Sequence, residues 1–337
     1  MTQGSAPQLS DPLLALPPAA QRLRQGRLAL AQAARQAPHG HADLDRYPSA
    51  SSAAMDIYFR ERLEELSEAN PGLLAAPFAL IAVGGYGRGE LQPASDVDVL
   101  LLYAQDIPAS AEEISRGLFH PLWDLGLDLG HGVRTAADCL RLAREDTQVL
   151  TSLLDTRLVA GDEGIVSRFL HDFSAKALSG GAQAFGQWVL EHNVGRRSEY
   201  GDSSGLLEPD LKNGLGALRD VHQIHWLTQV LAASAARPGL PFTPGDLEAL
   251  EQDRRFLMAA RTALHLAAGR KTDKLVFDRQ PEVARALGFD GADVDVDAAD
   301  MEWAAAMARG LAVERFLSSL HQAMTRIRAM RQAAWVE

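Results

Sequence analysis

Three short segments in the first half of the chain have the hydrophobic pattern of β-strands. Residues 78–83 (FALIAV) form a wholly apolar run followed by glycines, which is typical of a buried strand that enters a tight loop. Residues 97–103 (VDVLLLY) first alternate and then become fully apolar, and residues 126–135 (GLDLGHGVRT) alternate throughout. The pattern therefore predicts a short sheet built from this part of the chain.

Helical spacing dominates the rest of the sequence. Apolar spacing and helix-forming composition predict helices over residues 21–36, 53–68, 112–124, 136–144, 146–158, 163–178, 182–199, 219–234, 246–268 and 300–333. Strand patterns nearly vanish after residue 136. We therefore predict a disordered and helical N-terminal extension over 1–45, an α+β domain over 46–145 and an all-α helical domain over 146–337. Within these domains, residues 1–20 are expected to be disordered, and the acidic segment 290–300 is expected to be an exposed loop.

Charge and composition narrow the classes of partner. A chain of 337 residues favours two domains over one core. A formal net charge of -11 argues against nucleic acid as the main partner, because such proteins usually present a basic face. The single cysteine, Cys139, excludes an internal disulfide and favours a reducing cytoplasm. Neither a signal peptide nor an apolar run long enough to cross a membrane is evident, so we expect no membrane partner.

One segment carries the pattern of a phosphoryl-transfer site. Asp96 and Asp98 lie two residues apart at the start of a predicted strand, so both carboxylates fall on the same face. Two such charges are unfavourable side by side unless a cation neutralises them, and Mg²⁺ prefers carboxylate and phosphate oxygens. Upstream, the double glycine Gly84–Gly85 allows a close approach of backbone N–H groups to a triphosphate, and Arg88 could pair with its oxygens.

Each of these signals is weak when taken alone. A D-x-D pair on a strand is more often solvated polarity, and two glycines are more often a plain turn. The combination is more specific, because a buried strand, the glycines, an arginine and the two aspartates follow in order, with Asp96 placed 11 residues after Gly85.

The order GG-x(10)-D-x-D resembles the signature of the DNA polymerase β-like nucleotidyltransferase superfamily. The fuller string over residues 84–102, GGYGRGELQPASDVDVLLL, resembles the bifunctional protein-PII uridylyltransferase/uridylyl-removing enzymes. Three further blocks, over residues 122–135, 206–226 and 264–288, resemble the same family in the same order. The chain is thus identified as similar to the N-terminal transferase part of these enzymes.

The resemblance implies a fold and an activity. The fold would be a polymerase β-like α+β domain with a short mixed sheet, followed by an all-α helical domain of the PII-uridylyltransferase type. The enzyme would transfer UMP from UTP to a tyrosine hydroxyl of a PII-type nitrogen-regulatory protein, releasing pyrophosphate by a two-metal mechanism with Mg²⁺ or Mn²⁺. Some relatives transfer AMP from ATP, and the residues do not distinguish the two nucleotides. Other protein or small-molecule acceptors, and a non-catalytic nucleotide-sensing role, stay open as alternatives.

The resemblance also assigns candidate site residues. Asp96 and Asp98 correspond to the metal ligands, and Asp128 is the candidate for a third catalytic carboxylate, although it could equally be the polar face of an edge strand. The nucleotide-binding candidates are Gly84, Gly85, Arg88, Ser95 and Lys212. Nearby matches with open roles are His131, Arg134, Glu208, Arg219 and Asp220, whereas Trp123, Trp188, Trp226 and Trp303 are expected in the core.

The full-length relatives are far longer than this chain. They continue into a metal-dependent hydrolase domain that removes UMP and into two ACT domains that sense glutamine. Neither fits between residue 288, where the last matching block ends, and residue 337. We therefore expect both of those activities to be absent from this chain, which is either a fragment or a stand-alone transferase.

Overall fold

A computed structural model describes residues 16–36, 41–201, 205–234, 240–289 and 301–334, with the side chains of 41–43 and 301–305 left out of the description. The strands are β1 (Ala79–Ala82), β2 (Val97–Tyr103), β3 (Leu129–Thr135) and β4 (Arg157–Gly161). The helices are α1 (Pro18–Gln36), α2 (His41–Ala69), α3 (Gly84–Gly87), α4 (Ser110–Asp124), α5 (Ala136–Glu145), α6 (Thr147–Leu154), α7 (Glu163–Phe173), α8 (Ala182–Tyr200), α9 (Leu218–Ala233), α10 (Pro244–Ala268), α11 (Gln280–Ala286) and α12 (Met301–Ala334).

The four strands form one mixed sheet in the order β3-β2-β1-β4. β1 pairs antiparallel with β2 on one side and with β4 on the other, whereas β2 and β3 run parallel. The short mixed sheet and the helices that follow it confirm the predicted α+β fold with a helical second part.

Both faces of the sheet are covered, which explains the apolar runs of its central strands. Along β2, Val99 and Leu101 face a core shared with α1, α2 and α4. The alternate residues Leu100 and Leu102 face a second core shared with α5 to α9. Asp98 is the second residue of β2 and is partly exposed. The packing on both faces of the strand therefore holds its backbone in a fixed position.

Several predicted elements are confirmed, and others differ in their bounds. α2 begins at His41 rather than near residue 53, because Leu44 and Tyr47 are buried and their packing offsets the hydrogen bond lost at Pro48. The predicted helix 146–158 is wrong at its end: α6 stops at Leu154 and the chain becomes β4. β3 starts at Leu129, three residues later than the alternation suggested.

The N-terminal prediction is corrected in part. Ala19 and Ala20 are buried in α1, so this end of the segment expected to be disordered is packed against the first core. Residues 1–15 and the acidic segment 290–300 lie outside the described residues. β4 comes from beyond residue 145, so the sheet includes residues of the predicted helical domain; the domain boundaries themselves stay a prediction.

A third core lies in the helical part and also takes in Leu44 of α2. Helices α9 to α12 enclose it, with Leu257, Leu264, Phe316 and Ile327 among its buried side chains. Among the described residues, none of the helices is long and apolar enough to cross a bilayer.

Candidate active site

The turn between β1 and β2 is held by glycines at defined positions. Gly84 has φ +56°, which favours glycine, and a side chain there would point at Oδ2 of Asp98. At Gly87, a Cβ atom would lie 1.7 Å from the backbone oxygen of Asp155. The tight loop predicted after the first strand contains a single helical turn, α3, which needs glycine at these two positions and which brings backbone against Asp98.

The two predicted metal ligands lie at one end of the sheet. Asp96 directly precedes β2, and Asp98 is paired in register with Gly130 of β3. A Cβ atom at Gly130 would lie 2.2 Å from Oδ1 of Asp98, so glycine leaves the room that the carboxylate occupies. The Nζ atom of Lys271 donates to both oxygens of Asp96, at 2.8 and 2.6 Å.

The local electrostatics favour a cation beside Asp98. Burial and the neighbouring Asp96 carboxylate raise the pKa of Asp98, while Lys212, Lys271 and Arg88 act in the opposite direction. A carboxyl group whose pKa is raised by burial and by a neighbouring carboxylate is a site where a positive ion is stabilised. Asp96 and Asp98 with phosphate oxygens would supply the hard ligands that Mg²⁺ prefers, so the residues fit the predicted metal.

A cleft of about 360 Å³ opens between this end of the sheet and helices α6, α8, α9 and α10. It is lined by the predicted metal ligands and by every predicted nucleotide-binding residue, namely Asp96, Asp98, Gly84, Gly85, Arg88, Ser95 and Lys212. Residues far apart in the sequence are thus brought together around one cavity.

Two cations in the cleft form no ion pair with a carboxylate of the described residues. Burial, together with nearby Arg261, lowers the pKa of Lys212 to about 8. Burial and nearby Arg88 lower the pKa of Arg219 to about 10, and its guanidinium lies 5.5 Å from the ring centre of Trp226. Within the part of the chain that the structure describes, neither Lys212 nor Arg219 forms an ion pair with a carboxylate. Partly desolvated cations without an anionic partner are the arrangement expected of a polyphosphate site.

Arg88 meets the cleft in a different way from the one predicted. Its Nε donates to Glu90 at 2.7 Å, and its Nη1 bonds to Asp155. Most of the planar fork is therefore engaged with carboxylates, and Nη2 is the nitrogen that faces Gly85. Arg88 positions the glycine turn and has only one nitrogen directed toward the backbone that would meet phosphate.

Glu90 joins the two parts of the protein. Besides Arg88 it accepts hydrogen bonds from His222 of α9, at 3.1 Å, and from Arg254 of α10, at 3.0 Å. Burial lowers the pKa of His222 to about 3, so the imidazole is neutral and donates through Nε2. This buried cluster fixes the helical wall of the cleft relative to the glycine turn.

Asp128 lies on the other side of the aspartate pair. Its backbone oxygen accepts from the N–H of Val97, at 2.9 Å, just before β3 begins. With Asp96, Asp98 and Trp123 it lines a second groove, of about 380 Å³. Among the described residues, no three acidic, histidine or cysteine side chains are close enough to form a metal cluster by themselves. The role of Asp128 stays a prediction.

The residues with open roles separate into two groups. Asp220 bonds to Arg196 at 2.6 Å in the interior, and Glu208 pairs with Lys274 rather than with Lys212, so both have structural partners. His131 packs against the rings of Phe119 and Trp123. Only Arg219 of this group lines the cleft.

The four tryptophans that were expected in the core differ in where the structure places them. Trp226 is buried, as expected, whereas Trp123 is 43 % exposed, so its assignment to the core is wrong. Trp188 is half-buried and lines the cleft, and the side chain of Trp303 lies outside the described residues.

Sequence reasoning missed several residues that line the cleft, among them His192, Arg261 and Lys271. Arg261 and His265 of α10 both contact Asp273, at 2.6 and 3.4 Å, which holds the following segment, with Lys271, close to the sheet. The position of Lys271 inside the third matching block was the only signal that could have drawn attention to it.

Comparison with known proteins agrees with the geometry. Residues 59–127 match the family described as nucleotidyltransferase domain, and residues 185–335 match the one described as GlnD PII-uridylyltransferase. These matches confirm the predicted relationship of the chain to the transferase part of that family.

Individual relatives give the same result. The chain is 39 % identical over 274 residues, 80 % of its length, to the bifunctional uridylyltransferase/uridylyl-removing enzyme of Thiobacillus denitrificans. It is 39 % identical over 233 residues to the enzyme of that name from Cereibacter sphaeroides, and 37 % identical over 215 residues to the one from Phenylobacterium zucineum. The matches cover 68 % and 63 % of this chain, and the chain spans less than a third of these relatives: 31 %, 25 % and 23 % of their lengths in the same order.

Proposed function

We propose that this chain, which carries the nucleotidyltransferase and helical parts of the protein-PII uridylyltransferase family, transfers UMP or AMP from a nucleoside triphosphate to a tyrosine hydroxyl of a PII-type protein. The observation that carries the proposal is the cleft itself. Two adjacent carboxylates, Asp96 and Asp98, share a single cavity with two cations, Lys212 and Arg219, that form no ion pair within the described part of the chain. A triphosphate with divalent cations satisfies both groups at once.

The residues have separate tasks in this proposal. Asp96 and Asp98 would hold Mg²⁺ or Mn²⁺, which when bound would neutralise negative charge on the attacking and departing oxygens. Lys212 and Arg219 bind the β- and γ-phosphates, and the N–H groups of the turn at Gly84 and Gly85 bind phosphate oxygens. Ser95, next to Asp96, contributes a hydroxyl to the same wall.

The reaction balances as a displacement at phosphorus. A bond forms between the tyrosine oxygen and the α-phosphorus, the bond from that phosphorus to the α,β-bridging oxygen breaks, and pyrophosphate leaves. The tyrosine proton passes to a base, and Asp128 is the proposed acceptor because it borders the groove on the far side of the aspartate pair from the cleft. Lys212 and Arg219 stay with the pyrophosphate, where negative charge builds up.

The test is an assay read by intact mass. The purified chain, Mg²⁺ and a PII-type protein are mixed with each of the four nucleoside triphosphates in turn. The proposal expects a mass increase of one nucleotide on PII with UTP or ATP, and loss of that increase in the Asp96→Ala/Asp98→Ala double variant. Asp106→Ala, on the exposed loop after β2, is the matched control and should keep full activity.

Other outcomes separate the alternatives. If the double variant still modifies PII, the assignment of the aspartate pair is wrong. Transfer to another protein or small molecule, but not to PII, would keep the chemistry and replace the acceptor. Tight triphosphate binding without turnover on any acceptor would favour a nucleotide sensor. A cytoplasmic location, predicted from the single cysteine, stays a prediction.

A further inference from the structure

One wall of the cleft is formed by aromatic side chains that the proposed transfer reaction does not use. Of the described residues that line the cleft, four have aromatic rings: Trp188 and His192 on α8, and His222 and Trp226 on α9. The two rings on α9 are already engaged, since His222 bonds to Glu90 and is 5 % exposed, while Trp226 is 3 % exposed. The rings on α8 are half-buried and accessible from the cleft.

The aromatic side chains of α8 form a stacked series. The ring of His192 lies 4.9 Å from that of Trp188 with only 11° between their planes, and Phe185 stacks on Trp188 at 5.9 Å and 26°. Spacings of three and four residues put these rings on one face of the helix. Burial, with Arg196 and Arg219 nearby, lowers the pKa of His192, so the last ring of the series is a neutral imidazole.

We propose that Trp188 and His192 form the nucleobase subsite of the cleft for the triphosphate whose phosphates lie at Lys212 and Arg219. Because Phe185 and His192 stack on Trp188 from the helical turns before and after it, the base stacks on the outer face of His192 and meets the cleft-facing edge of Trp188. The proposal rests on the proposed function for its ligand, a nucleoside triphosphate, and for the place of the phosphates. Arg219 connects the two regions, because it lines the cleft beside Lys212 and is also close enough to His192 to act on its charge. A nucleoside attached to a phosphate at Arg219 therefore reaches the rings of α8.

The uncharged rings of this wall should contribute to the affinity for a nucleotide without selecting which base it carries. Flat rings without charge stack on uracil and on adenine alike, because every base has a π-face. Selection between bases then depends on hydrogen bonds at the base edge. Gln148 of α6 lines the same cleft, and its amide can both donate and accept.

Binding of a nucleotide and of a triphosphate without a base separates this subsite from the phosphate site. The intact chain is titrated calorimetrically with UTP, ATP and inorganic tripolyphosphate, each with Mg²⁺ and without an acceptor. Trp188→Ala and His192→Ala are expected to weaken binding of UTP and ATP by about 5- to 100-fold, the usual contribution of stacking on an aromatic ring. Binding of tripolyphosphate should change by less than about twofold in both variants, since the phosphate site remains.

A conservative variant and an optical signal complete the test. His192→Phe keeps a flat ring and should retain most of the UTP affinity that His192→Ala loses. A base in contact with Trp188 should quench its emission. The quench should therefore shrink in Trp188→Phe, where Trp226 beside Arg219 still lines the cleft, and keep its full size in Trp123→Phe, whose tryptophan lies outside the cleft.

Three results would overturn the subsite. They are unchanged UTP and ATP affinities in both alanine variants, an equal loss for tripolyphosphate, or a quench of undiminished size in Trp188→Phe. If the unmodified chain binds neither nucleotide nor tripolyphosphate, the proposed function fails together with the subsite. If it binds both ligands but the alanine variants are normal, only the subsite fails.

Discussion

Gly130 is the position where a single methyl group should separate folding from catalysis. Neither Gly130 nor Gly132 has a positive φ, so alanine is compatible with the backbone at both places. A Cβ atom at Gly130 would lie 2.2 Å from Oδ1 of Asp98, whereas one at Gly132 would lie 3.2 Å from Cδ1 of Leu100. The first contact forces the carboxylate to move by about 1 Å, because non-bonded atoms prefer separations near 3.5 Å. The second needs only a small adjustment of a flexible side chain.

The expected magnitudes follow from these distances. A displacement of about 1 Å at a catalytic group can cost about 100-fold in rate, so Gly130→Ala should reduce nucleotide transfer by that order. Overpacking of this kind costs about 1–3 kcal/mol, which leaves the chain folded. Gly132→Ala, on the same strand, should stay within about threefold of the unmodified rate.

The assay combines three measurements on both variants. Transfer is read by intact mass, Mn²⁺ affinity by calorimetry and the fold by thermal melting followed by circular dichroism. Gly130→Ala should lose transfer and Mn²⁺ affinity together while it still melts cooperatively. If Gly130→Ala binds Mn²⁺ and transfers nucleotide at the unmodified rate, Asp98 does not hold the metal in the way proposed.

Three further predictions concern the charged groups around the cleft. UTP affinity should fall as pH rises through about 8, where the buried Lys212 ammonium loses its proton. Lys212→Arg should remove most of that fall, because a guanidinium stays charged. Calorimetric titration with UTP across this pH range measures both effects. Glu90→Ala should lower the free energy of unfolding by about 3–5 kcal/mol in urea titrations, because it leaves buried charged and polar groups without their partner. Glu251→Ala, which removes a more exposed carboxylate, should lower it by less than about 1 kcal/mol. Burial raises the pKa of Glu90, but His222 and Arg88 outweigh it and lower that pKa, so this stabilisation should be present at neutral pH and be lost as pH falls below the ordinary range of a glutamate. Equal effects of the two variants would contradict the role of the buried cluster. Lys271→Ala should raise Mn²⁺ affinity of the nucleotide-free chain by up to about fivefold, because an exposed ammonium no longer competes for Asp96, and unchanged affinity would show that the pair is inconsequential.

Local pattern was sufficient for the elements whose burial is simple. β1 and β2 are covered on both faces, so their apolar runs identify them directly. The period of two along β2 also places Asp96 and Asp98 together, and the glycines before it mark the turn. β4 was missed because its five residues, of which only Val159 is buried, follow a helix without a break in apolar spacing. The opposite error occurred at Pro48, where an interruption of the helix was predicted. Packing of α2 offsets the hydrogen bond that this proline removes, so the helix continues through it.

Local sequence patterns could not predict which residues form the helical wall of the cleft. Lys271 meets Asp96 across 175 positions of sequence, and Arg254 meets Glu90 across 164. Contacts at such separations depend on how whole helices pack, which the spacing of apolar residues does not specify. Resemblance pointed to Lys212 and Arg219, but only the packing shows that neither forms an ion pair with the other described residues and that Glu208 and Asp220 have partners elsewhere.

The most direct test of the central claim is anomalous diffraction from crystals grown with Mn²⁺ and a non-hydrolysable UTP or ATP analogue. The account predicts Mn²⁺ bound by oxygens of Asp96 and Asp98 and by the phosphates, with Lys271 released from Asp96 and the phosphates next to Lys212 and Arg219. Anomalous density absent from this place, with nucleotide bound elsewhere and Asp96 still paired to Lys271, would contradict it.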